Sequence, residues 1–193
     1  MLLHGFTAHG IPHYAQAARP EWHGGPPRRA RFLSGHLIFT LGRFVEDVPY
    51  DPGLYFIGEE ISMAVRAFSH GYALLHPSAH VMWHEYSRRS RVMHWTDHQA
   101  AARDAASLDR VQQLLSGRLH GRFGLGQCRS LAEYEAYAGV NFARRSATAA
   151  ARNGIEPQPP PPPGAGVLRA PQPWQVEIDL AVHALDSAAL DRP

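Results

Sequence analysis

The stretch EPQPPPPPGAG, residues 156–166, limits the fold more than any other feature of the sequence. Proline carries no backbone N–H and holds φ near about −65°, so the run excludes both helix and internal strand. It predicts a polyproline II linker, residues 147–166, that stays outside the packed core. Folding is therefore expected mainly upstream of it. Beyond it, Trp174, Val176, Ile178 and Leu180 alternate with polar residues in WQVEIDL. That pattern predicts one strand in a tail, residues 167–193, which needs a sheet to dock on.

Upstream, the 45% hydrophobic share is enough for a real core. The formal net charge is only +2, and every basic residue except histidine is arginine. No dense basic stripe with interleaved aromatics occurs, which argues against nucleic acid as a partner. The single cysteine, Cys128, excludes an internal disulfide and suits a reducing compartment. MLLHGFTAHG has neither the charged region nor the apolar run of a signal peptide. No stretch approaches the roughly 18 apolar residues of a membrane span. These features together point to a cytoplasmic location.

Residues 1–30, rich in Gly, Pro, His and Arg, show no period and are expected to be loop-like. In FLSGHLIFTLGRF, the apolar run 37–39 follows Gly35 and predicts a short buried strand. DVPYDPG supplies turn chemistry. From Glu59 the pattern turns helical, with Ile61, Ala64, Val65 and Phe68 at i, i+3, i+4 and i+7, and Gly71 ends the helix. YALLHP and HVMWHEY read as two short strands. Residues 98–116 predict a helix with Leu108, Val111 and Leu115 on one face. SLAEYEAYAG predicts another, opened by a Ser130/Glu133 capping box and closed by Gly139.

Glu59 and Glu60 are adjacent carboxylates at a helix start. The helix dipole accounts well for one acid there and less well for two, because only one can take the best position. A sugar hydroxyl or a developing positive charge is the functional alternative. Gly58, just before the pair, serves equally as a turn residue or as a point of close approach to a ligand. His84, read by spacing alone, is a polar group satisfied at a strand end. Arg88 and Arg91, in SRRSR, read alone as solvated loop charges. Arg66 lies on a different helix face from Ile61 and Phe68, and no role follows from the sequence.

SGHLIFT, VPYDPGLYFIGEEISMAVRAFSHGY and HVMWHEYSR, in that order, resemble the second half of a GT-A glycosyltransferase domain. The nearest likeness is to the cytoplasmic enzymes that attach N-acetylglucosamine to a protein hydroxyproline, and to their bacterial relatives. FGLGQCRSLAEYEAYAGVNFARR resembles the tail of the same family, so the likeness covers roughly residues 30–146. The resemblance implies an α/β fold over residues 31–146, the C-terminal part of a GT-A domain with a helical extension. It implies transfer of N-acetylglucosamine from UDP-GlcNAc to a protein hydroxyl with retention.

The resemblance also implies roles for particular residues. Glu59 and Glu60 would face the donor sugar as catalytic groups. Ser34, Gly35 and His36 would line the sugar, with His36 standing where the family more often has a second small residue. Gly58 would belong to the same donor site. Arg88 and Arg91 would close over the diphosphate, and His84 would ligate a divalent metal, Mn²⁺ or Mg²⁺. A GT-A domain draws its other metal ligands and its uridine pocket from an upstream half ending in an acidic motif. The first 30 residues contain no aspartate, so the nucleotide-binding half is expected to be missing, the transferase to be incomplete, with an inactive fragment as one reading, and the metal to bind only with that half supplied. Two other readings stay open: a non-catalytic remnant that binds protein or glycan, and a small metal-dependent hydrolase, the least supported.

Overall fold

The structure is a computed structural model that describes residues 1–17, 19–79, 82, 93 and 100–162. His84, Arg88, Arg91, the expected strand in HVMWHEY and the expected strand in the tail lie outside the described residues.

The first 30 residues are not all loop. β1 (Leu2–Phe6) and β2 (Pro12–Ala15) form an antiparallel hairpin with Leu3 opposite Tyr14. Thr7 closes it, accepting from Ile11 N on its hydroxyl and from Gly10 N on its carbonyl. This seven-to-eleven turn contains glycine but no tight two-residue hairpin signal, which is why periodicity passes over it. β3 (Arg28–Arg29) then pairs antiparallel with β4 (Leu75–His76), the strand expected in YALLHP.

The run 37–39 is not a buried strand. Leu37, Ile38 and Phe39 are 47%, 38% and 84% exposed, and no ladder includes them. A short apolar run is ambiguous without a partner strand, and no described strand takes this one up.

After the one-turn helix α1 (Phe44–Asp47), helix α2 (Glu59–Ser69) forms the centre of the molecule. Its expected apolar positions are all buried, but so is every other residue from Ile61 to Ser69. The helix is wrapped on all sides rather than lying on a surface. Full burial of Ile61, Val65 and Phe68 contributes roughly 1.5–3 kcal/mol each. Arg66, only 1% exposed, is held inside by its donation to Pro49 O at 2.6 Å and to Arg122 O at 3.2 Å.

α3 (Ala100–Leu115) packs Val111 and Leu115 into this core, with Leu108 partly buried against it. α4 (Leu131–Ala138) has the expected reciprocal capping box between Ser130 and Glu133, and Gly139 closes it in the left-handed region. Tyr134 and Tyr137 are core residues whose hydroxyls donate to Arg31 O and Ala30 O. β5 (Val140–Asn141), β6 (Ser146–Ala147) and the short α5 (Ala149–Arg152) complete the described body.

The first part of the proline segment does join the body. Pro157 is buried. Arg29 Nε donates to Pro157 O at 2.8 Å, Arg31 Nε to Ile155 O at 3.0 Å, and Arg129 Nε to Pro161 O at 3.0 Å. Glu156 adds ion pairs with Arg28 and Arg29. A polyproline II chain leaves its carbonyls unpaired, and arginines on a neighbouring surface can take them.

Candidate active site

The start of α2, the 34–36 loop and the end of β2 meet at one open cleft. Met1, Tyr14, Ala15, Gln16, His36 and Glu60 line it, and its volume is about 350 Å³. Gly35 N donates to Glu60 Oε1 at 2.7 Å, which pins the loop to the helix start. A methyl group built on Gly35 would lie 3.5 Å from Glu60 Cγ and 4.0 Å from Glu59 Oε1, so both carboxylates flank this glycine. His36 Nδ1 lies 2.8 Å from Ser34 Oγ and 3.4 Å from Gln16 Nε2, which holds the imidazole at the rim.

Ser34, Gly35, His36, Glu59 and Glu60, singled out from two stretches of the sequence, are thus brought together. Gly58 has a different explanation. Its φ is +92°, and a Cβ there would lie inside the van der Waals radius of Val111 Cγ2 on α3. The position needs glycine for the turn and for helix packing, whatever binds nearby.

Burial pushes the Glu59 carboxyl up to about 7, with the Glu60 charge adding to the effect. Near neutral pH it can therefore hold or release a proton, as a general acid or base must. Burial, with a smaller push from the same pair, raises two tyrosines. Tyr50, partly desolvated and facing both acids, reaches about 12. Tyr14 rises well above its ordinary value, first by burial and then by Tyr134, Glu60 and Glu59. No pattern in the sequence points to either tyrosine. Tyr14 sits in a hairpin strand 45 residues before Glu59, and only folding brings it to the cleft that Glu60 lines.

From the cleft a shallow groove of about 470 Å³ runs past Trp22, Phe32, Leu33, Leu37 and His76. Burial lowers the His76 imidazole to about 4, so it is neutral at physiological pH. Among the described residues, no group of three or more His, Cys, Asp or Glu is placed to hold a metal ion. The described side chains therefore do not by themselves fit the expected metal. No helix among them is long and apolar enough to cross a membrane.

The molecule is thus a mixed α/β body with an open cleft lined by Glu60, which is hydrogen-bonded to Gly35, and with the Glu59 carboxylate close to the same glycine. A model of the family described as glycosyltransferase (GlcNAc) matches residues 1–144 of the 193. The chain belongs to that glycosyltransferase family. The match includes the N-terminal hairpin, which the sequence likeness left out. A search of curated proteins and a search of solved structures each find no match to the chain.

Proposed function

We propose that the cleft holds the sugar end of a glycosyl transfer. In this reading the N-acetylglucosamine of a UDP-GlcNAc donor sits over Gly35, facing Glu59 and Glu60, and passes to a hydroxyl on a protein. The observation that carries it is the Gly35–Glu60 hydrogen bond. It joins the two stretches that the family resemblance assigns separately to the donor sugar, SGH and GEE.

The chemistry is a substitution at the anomeric carbon. The acceptor oxygen forms a bond to that carbon while its bond to the diphosphate breaks, and the electron pair leaves on phosphate. Positive charge builds on the sugar ring, and fixed carboxylates nearby stabilise it. Glu60, anchored through one oxygen by Gly35 N, has its other oxygen to accept from a sugar hydroxyl. The acceptor hydroxyl gives up a proton, and Glu59, with its carboxyl near 7, is matched to relay it at neutral pH.

The reading belongs with part of a GT-A domain. Arg88 and Arg91 toward the diphosphate, and His84 toward a divalent cation, remain part of the proposal. No step above is routed through the cation.

Saturation-transfer NMR of the full chain with UDP-GlcNAc tests the reading. Transfer is expected to the sugar protons more than to the uridine protons, and Glu60→Ala is expected to abolish it. Contact through the uridine alone, or sugar contact indifferent to Glu60→Ala, would refute it.

A further inference from the structure

The proline segment is docked on the body by one side only. Pro157 is buried and Pro160 half-buried, whereas Gln158, Pro159, Pro161 and Pro162 are exposed. Positions 157 and 160 are three apart, which is the repeat of a polyproline II helix. Such a helix is triangular in cross-section. One face therefore meets the body. The other two, with 158 and 161 on one and 159 and 162 on the next, meet solvent.

The docking is made through the backbone and not through the exposed rings. Arg29 Nε donates to Pro157 O and Arg129 Nε to Pro161 O. Glu156 fixes the entry to the segment by accepting from Arg29 N and pairing with Arg28 and Arg29. The cradle is itself held rigid. Arg129 is buried, with its guanidinium 4.7 Å from the Phe68 ring centroid, and it also donates to Phe68 O and Tyr72 O. A free proline-rich peptide must order its remaining joints when it binds, whereas this segment is ordered in advance.

The chemistry of the two outward faces defines what they fit. Proline rings carry no charge, and proline has no N–H to donate. Such a surface suits a groove walled by aromatic rings, the geometry of domains that read P-x-x-P segments. Pro159 and Pro162 have that spacing and share one outward face.

We propose that residues 157–162 are a ready-formed ligand for a partner protein with an aromatic-lined proline groove, held out by the arginine cradle with two faces free. The segment has this role whether or not the cleft binds a sugar.

Isothermal titration calorimetry of the full chain against an SH3, a WW and an EVH1 domain tests it, beside a free peptide of residues 155–163 and a Pro159→Ala/Pro162→Ala chain. At least one domain is expected to bind the full chain as tightly as the free peptide or more tightly. The double substitution is expected to weaken that binding at least about ten-fold, because ring carbons are lost from the contact. Its melting temperature is expected to stay within about 2 °C of the unaltered chain, since both rings are exposed. A free peptide that binds more tightly than the chain would show that the body covers a face the groove needs, and overturns the proposal. Chain binding that survives the double substitution overturns it as well, and so does binding to none of the three domains.

Discussion

Gly35 N and Glu60 Oε1 lie 2.7 Å apart across 25 residues of sequence. The contact makes Gly35 a sensitive probe of the cleft. A methyl group there would meet Glu60 Oε1 at 3.6 Å and Glu59 Oε1 at 4.0 Å, distances of ordinary contact. Gly35→Ala is therefore expected to fold normally, with a melting temperature within about 2 °C of the unaltered chain, since contacts of this kind shift stability by only about 0.5 kcal/mol. The methyl still occupies space between the acids, so sugar contact measured by saturation transfer is expected to drop. A folded variant with full sugar contact would place the sugar elsewhere.

Glu59 predicts a pH dependence of stability. Its carboxyl titrates at about 7 in the fold against an ordinary 4.5. Below pH 4.5 it is protonated in both the folded and unfolded states. Between these values the unfolded chain releases the proton and the folded chain keeps it, so folding stability falls as pH rises through 7. Glu59→Gln cannot ionise. It is expected to have a higher urea midpoint than the unaltered chain at pH 8, with the gap closing by pH 4.5. A gap independent of pH would mean the carboxyl is not held up by the fold.

Gly58→Ala combines a left-handed backbone with a clash against Val111. Strain and overpacking each cost on the order of 1–3 kcal/mol. Urea unfolding is expected to show a loss of about 2–6 kcal/mol from the two together. Adding Val111→Ala should recover only the steric share, because the φ of +92° is unchanged.

Asp51 is buried and accepts from Arg110 Nε at 2.6 Å and Gly53 N at 2.9 Å. It also offsets the charge of the buried Arg66. Asp51→Ala strands two donors and leaves positive charge uncompensated. A loss of about 2–4 kcal/mol is expected, below the upper range for fully buried pairs because Arg110 is 31% exposed. Asp51→Asn should cost less, since its amide oxygen can still accept; equal losses would rule out hydrogen bonding as the cause.

The docked proline segment is testable through Glu156. Its ion pairs with Arg28 and Arg29 are partly exposed, and pairs of that kind contribute about 0–1 kcal/mol. Its carboxylate also accepts from Arg29 N at 3.1 Å. Glu156→Ala is expected to lower stability by about 1 kcal/mol. It should also speed proteolysis after residue 154, and an unchanged cleavage rate would mean the segment is held by its carbonyl contacts alone.

Local signals were legible wherever the cause is local. The Ser130/Glu133 box, the Gly139 cap and the apolar spacing of 61–68 each depend on neighbours within about one helical turn, and each is found where its pattern lies. The arginines beneath the proline segment and the exposure of residues 37–39 depend on what distant chain packs nearby, which no window of sequence contains.

The sequence by itself determined the acid pair, its place at the start of a helix and the family likeness of the stretches around it. Only the tertiary structure decided that Tyr14 shares a cleft with Glu60 and that Gly35 ties this acid down. It also decided that desolvation holds Glu59 near neutrality. Burial and through-space electrostatics act over ångströms rather than along the chain, so they exist only once the hairpin, the loop and the helix are packed together.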